Sequence, residues 1–144
     1  MKIKIFSLIV LSSLLLSACA APASGSLAGT NWVLQSIDGN RQVGAALGGQ
    51  QVTLQFTSAT EMGGSGGCNS YGGSYQAGDG RISFGEVMST LMMCADEDVG
   101  AVETAFFAVL GAIESYSITE CEACANPQTL TLTGGGHTLV FVAP

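Results

Sequence analysis

Apolar and polar residues alternate along the chain in short bursts separated by glycine-rich turns. The clearest burst is Gln51-Val52-Thr53-Leu54-Gln55-Phe56, where Val52, Leu54 and Phe56 share one face at period two, the mark of a half-buried strand. Trp32 to Ile37 reads as an earlier strand stopped by the turn pair Asp38-Gly39. Residues 40–50 read as a polar, glycine-rich loop, and Gly63 to Gly67 as a flexible break. Gly73-Ser74-Tyr75-Gln76 and Arg81-Ile82-Ser83-Phe84 flank Gly78-Asp79-Gly80, which predicts a hairpin. Val87 to Met93 reads as extended. The period then changes: Val99, Val102, Phe106, Val109, Leu110 and Ile113 form one stripe of an α-helix. Asp96, Glu97 and Asp98 stand at its start, where carboxylates cap free N–H groups and meet the positive end of the helix dipole. Tyr116–Thr119, Leu130–Thr133 and Thr138–Val142 read as closing strands, the last two joined through Gly134-Gly135-Gly136. The expected fold is α+β: a small curved antiparallel β-sheet or open barrel with one main helix packed on it, which buries every stripe.

The first residues follow a different pattern. Lys2 and Lys4 precede an almost wholly apolar run from Ile5 to Leu16, the layout of a secretory signal. That run is shorter than the roughly 20 residues a membrane-spanning helix needs. It ends in Leu16-Ser17-Ala18-Cys19, which resembles the lipobox of bacterial lipoproteins, where small residues admit the peptidase and the cysteine thiol takes a diacylglycerol. Residues 1–18 are therefore expected to be a leader, 19–26 the lipidated Cys19 with a small-residue tether, and 27–144 the domain. Acyl chains hold such an anchor in a membrane, each buried CH₂ contributing about 0.8 kcal/mol. Ala20, rather than Asp, follows the cysteine. By resemblance to Gram-negative sorting this implies a cell-envelope lipoprotein of the outer membrane, facing the periplasm.

Charge narrows the partners. Losing Lys2 and Lys4 with the leader leaves two arginines, Arg41 and Arg81, against eleven acidic residues, a net charge of −9. Nucleic acid is disfavoured, because binding it depends on neutralising phosphates with Lys and Arg. Anionic lipid headgroups are equally poor partners for the domain surface. Beyond Cys19 four cysteines remain: Cys68, Cys94, Cys121 and Cys124. An even number in an oxidising compartment suggests disulfides, and three connectivities are open. The preferred one pairs Cys68 with Cys94 and Cys121 with Cys124.

Several motifs carry a family resemblance. Gly29-Thr30-Asn31-Trp32, Gly67-Cys68-Asn69-Ser70-Tyr71, Gly73-Ser74-Tyr75 and Ser89-Thr90-Leu91-Met92-Met93-Cys94 resemble successive elements of the META domain, also called HslJ-like. The helix carrying Glu103 and the closing hairpin continue the match over about residues 27–142. The resemblance implies a small envelope or secreted α+β protein, with bacterial members associated with heat-shock response and novobiocin resistance. It also implies a fold like that of secretin pilotins, which cradle a lipid or peptide in a cracked barrel. It implies no enzyme activity and no cofactor. Cys121-Glu122-Ala123-Cys124 departs from the family pattern as an insertion.

Candidate chemistry is sparse beside this. Cys121 and Cys124 form a Cys-x-x-Cys, the spacing of thiol-redox proteins, but the flanking Glu120 and Glu122 raise a thiol pKa and disfavour a nucleophile. A structural staple is the preferred reading. A four-cysteine zinc site lacks a second ligand pair. Asp96-Glu97-Asp98 with Glu103 offers hard oxygens for calcium, though the spacing matches no EF-hand loop and helix capping already explains the acids. No metal is expected. His137 reads as a solvated turn residue, and Asn69 as a backbone-bonding turn residue. Gly63 to Gly67 lacks the following Lys and the helix that a phosphate cradle requires. Trp32, Tyr71 and Tyr75 are candidate ligand or partner contacts, with core packing as the plainer reading. The expected function is a non-catalytic envelope lipoprotein supporting envelope integrity, or stress and drug tolerance, by binding an envelope protein or a small apolar ligand. Two alternatives stand beside it: a membrane-anchored inhibitor or pilotin-like assembly factor with one protein partner, and a thiol-redox protein using Cys121 and Cys124.

Overall fold

The computed structural model describes residues 26–40, 43, 49–120 and 128–144. The expected leader and Cys19, most of the 40–50 loop, and the insertion carrying Cys121 and Cys124 lie outside the described residues. The strands are β1 (Asn31–Ile37), β2 (Thr53–Phe56), β3 (Glu61–Ser65), β4 (Ser70–Gly78), β5 (Arg81–Ser89), β6 (Ser115–Glu120), β7 (Gln128–Gly134) and β8 (His137–Val142). Helix α1 (Glu97–Leu110) lies between β5 and β6.

Neighbouring strands pair antiparallel in chain order, and β8 returns to β1 through Leu34↔Phe141 and Ile37↔Leu139, so the sheet closes into a barrel. Closure of an amphipathic sheet removes its two edges and turns one face into an interior. Alternation decides which residues go in: Trp32 and Leu34 from β1, Leu54 and Phe56 from β2, and Leu130 and Leu132 from β7 are all buried. The expected hairpin is present. Asp79 (φ 51°) and Gly80 (φ 75°) supply the two positive φ angles that match the twist of β4 and β5.

One element departs from the hydrophobic pattern. The glycine run expected as a break begins inside β3, which pairs with β2 through Gln55↔Gly63 and with β4 through Gly64↔Tyr71. Glycine is what the geometry requires there: a Cβ on Gly63 would sit 2.8 Å from the Tyr71 carbonyl oxygen. Close backbone approach, rather than flexibility, explains the composition.

Helix α1 starts at Asp96, whose carboxylate accepts the Asp98 N–H at 2.9 Å. Its inner face packs on the barrel, where the Phe106 ring meets Tyr71 of β4 (centroids 5.5 Å) and Phe141 of β8 (6.4 Å). Burying such a side chain contributes about 1.5–3 kcal/mol, so the helix is held by packing more than by propensity. The weakest seam lies between β5 and β6. They share the single register pair Arg81↔Ser115, flanked by bonds from the Ile82 N–H to the Glu114 carbonyl and from the Tyr116 N–H to the Gly80 carbonyl.

Candidate functional site

Among the described residues, a dense polar cluster forms where the β3–β4 turn, the β5–α1 connection and the first half of α1 meet. The turn is tight, with the Gly66 N–H donating to the Asn69 carbonyl at 2.7 Å and Gly67 at φ 107°. It aims two backbone N–H groups at Glu103, which occupies the middle of the apolar helix stripe and is only 7% exposed. Glu103 Oε2 accepts from the Asn69 N–H at 2.6 Å and the Cys68 N–H at 3.2 Å. Oε1 accepts from Asn69 Nδ2 at 2.7 Å. Protein donors thus replace the water this carboxylate lost on burial.

Asn69 passes the constraint onward. Its Oδ1 accepts from Thr90 Oγ1 at 2.8 Å and from the Met92 N–H at 2.7 Å, while Nδ2 also donates to the Met92 carbonyl at 3.3 Å. Two acceptor sites and two donors are all that the amide possesses, and all are used. The Cys68–Cys94 disulfide adds a covalent tie, bridging a sequence separation of 26 between the same turn and the residue pair preceding Asp96. Of the preferred pairings, this one is present; the Cys121–Cys124 pair lies outside the described residues.

Cys68, Cys94 and Glu103 place their ligand atoms within 4.8 Å of one another, the compactness of a metal cage. The chemistry argues otherwise: the sulfurs are bonded to each other, and both carboxylate oxygens already accept strong hydrogen bonds. A metal would have to displace all of these. Nor do the acidic residues converge as calcium ligands, because Asp96 caps the helix while Glu103 is turned inward.

Trp32, Tyr71 and Tyr75 belong to the buried core. Their polar ends are satisfied within the barrel: Trp32 Nε1 donates to Thr30 Oγ1 at 2.7 Å, the Tyr71 hydroxyl to the Thr53 carbonyl at 2.7 Å, and the Tyr75 hydroxyl to the Ser58 carbonyl at 2.8 Å. Burial pushes the Tyr71 phenol far above its ordinary range, and raises Tyr75 as well with help from Tyr116. The rings offer little surface to an outside partner and act as internal braces.

His137 has a partner that spacing does not reveal. Its Nδ1 lies 2.8 Å from Asp38 Oδ2, with both side chains partly exposed, and the Thr138 N–H donates to Asp38 Oδ1 at 2.7 Å. These bonds, His137 first, hold the Asp38 carboxyl below the usual carboxylate range. The recess where β5 and β6 part, about 460 Å³, has a mixed lining, with Gln76, Arg81, Ser83 and Glu114 beside Ala77, Ile82 and Ile113.

Among the described residues, the exposed large hydrophobic side chains gather beside the Asn69 network. Leu91 and Met93 are 96% and 97% exposed, Met92 is 61% exposed, and Met88 at the end of β5 projects likewise. The hydrophobic pattern placed these residues in an extended run without a direction. A readable signal was present for Glu103: a carboxylate in an apolar stripe between Val99 and Phe106 must find buried donors, and the Gly-Cys-Asn turn supplies them.

Comparison with known proteins agrees with this architecture. An NMR structure of a protein from Burkholderia xenovorans is similar at 33% identity and a TM-score of 0.67, covering 82% of this chain and 83% of that one. A second NMR structure shares the fold at 22% identity and a TM-score of 0.58, covering 81% of this chain and 91% of the other. Curated protein sequences give no match. A sequence model of the META domain matches residues 25–144, which take in the whole barrel, the disulfide and the Asn69–Glu103 clamp. The chain therefore belongs to the META domain family.

Proposed function

We propose that this META domain is a non-catalytic binding module, carried on a lipid anchor at Cys19 in the bacterial cell envelope and supporting envelope integrity or stress and drug tolerance. The observation that carries this reading is the way Asn69 spends its hydrogen bonds. The amide that joins Glu103 to Met92 has every polar site occupied by the protein itself, so the cluster serves to hold a loop in place. What that loop presents is apolar surface, the raw material of association. A protein partner fits better than a small apolar ligand, since the barrel interior is filled by side chains such as Leu54, Phe56 and Phe106.

Location rests on the leader-like start, the Leu16-Ser17-Ala18-Cys19 motif and Ala20, which together favour the periplasmic face of the outer membrane. Two measurements test the proposal. Cys19→Ala should release the domain from membranes with its fold intact; continued membrane retention would overturn the anchor. Photo-crosslinkers placed around the surface of the full chain in living cells should give adducts with a protein from one face only. Uniform absence of protein adducts from every face would overturn the binding role.

A further inference from the structure

We infer that Leu91-Met92-Met93 is the docking ridge of this domain, and that its partner is a protein offering an apolar groove bordered by Lys or Arg side chains. This deepens the binding role proposed above and depends on it. Three apolar side chains in succession, two of them almost wholly exposed, forgo burial that would stabilise the fold. Loops that merely connect are polar. This one is apolar and is also held from three sides: Asn69 binds the Met92 N–H and carbonyl, Thr90 bonds back to Asn69, and Cys94 is fixed to Cys68 immediately after the ridge.

A backbone held this way loses little freedom on association, which is the condition under which a small contact binds well. Methionine contributes the complementary property. Its unbranched, polarisable side chain adapts to an uneven groove while the backbone beneath stays fixed.

Charge selects the partner's chemistry. No Lys or Arg follows Arg81 in the sequence, whereas exposed Glu86, Asp96, Glu97 and Asp98 flank the ridge along the chain. Such a border favours cationic neighbours and repels an anionic lipid surface. A bilayer is the other apolar environment an anchored domain meets, and this acidic rim argues against it.

The test uses the full chain with ¹³C-labelled methionine methyl groups, followed by NMR. Met92 and Met93 report on the ridge, and buried Met62 reports on the fold. The probes are an amphipathic helical peptide of Leu and Lys, its Leu–Glu twin, and phosphatidylcholine vesicles. The Leu–Lys peptide should shift Met92 and Met93 while leaving Met62 in place, and added salt should weaken it. L91S/M93S should weaken it by about tenfold or more, as for loss of central contact residues. Equal binding of the Leu–Glu twin, a response only to vesicles, or no response to the Leu–Lys peptide overturns the proposal. Binding that leaves Met92 and Met93 unmoved overturns the ridge alone and leaves the binding role standing.

Discussion

Removing the Glu103 carboxylate should be among the costliest single changes to this domain. Glu103→Ala takes the acceptor from three donors, the Asn69 N–H at 2.6 Å, Asn69 Nδ2 at 2.7 Å and the Cys68 N–H at 3.2 Å. A stranded buried donor costs about 1–3 kcal/mol. The two short bonds dominate, because the third is long and therefore weaker. A loss of about 3–5 kcal/mol follows, comparable to breaking other buried charge networks. Glu103→Gln keeps one acceptor for the backbone N–H groups but turns an NH₂ toward Asn69 Nδ2, for about 1–2 kcal/mol. The assay is urea unfolding with the disulfide intact, on E103A, N69A and the double variant. Shared bonds predict a coupling of about 1–3 kcal/mol. An E103A cost below about 1 kcal/mol, or two changes that add within about 0.5 kcal/mol, would rule out the shared network.

Three further outcomes follow from the same geometry. Replacing Cys68 and Cys94 together should destabilise the domain by about 2–5 kcal/mol, since losing the loop they close frees the unfolded chain, and equal urea midpoints for oxidised wild type and variant would contradict it. Gly66→Ala would drive a Cβ to 2.5 Å from Glu103 Oε2 and should cost about 1–3 kcal/mol, whereas Gly111→Ala, with open space and φ −69°, should be neutral or gain up to about 1 kcal/mol by thermal unfolding. Asp38 titrates below its ordinary 3.8 in the folded state, so its bonds to His137 and Thr138 contribute stability that is present above that value and lost as pH falls through the lower folded one. Wild type should therefore exceed D38N near neutral pH, and their urea midpoints should converge in acid.

The hydrophobic pattern revealed most strands and α1 because each has a face, and a face repeats in sequence. Val52, Leu54 and Phe56 show it at period two, and Val99, Phe106 and Val109 at helical spacing. β3 stayed hidden because glycines carry no alternation, and their reason for being there is the Tyr71 carbonyl on another strand. Barrel closure was equally silent, since β1 and β8 meet from opposite ends of the domain. The site divides the same way. Glu103 was read from sequence only as a calcium candidate, although its place between Val99 and Phe106 marks a buried charge, and its link through Asn69 to Met92 depends on a turn conformation no spacing encodes. His137 and Asp38 lie 99 residues apart. The direction of Leu91 to Met93 is set by bonds to their backbone, to which side-chain patterns are blind.

The narrow seam between β5 and β6 also divides the chain in time. Strands β1 to β5 form one run of locally paired neighbours, and β6 to β8 form another, with α1 carried between them. Each run assembles from contacts close in sequence, so both can form early, whereas joining β1 to β8 must wait for the chain ends to meet. The barrel is in effect two sheets wrapped into one, joined by the β1–β8 pairing and by Phe106 of α1, which touches Tyr71 of the first and Phe141 of the second. Transient opening should begin along that seam, exposing the Ile82 and Tyr116 amides that bridge it to hydrogen exchange well before the paired amides of β7 and β8.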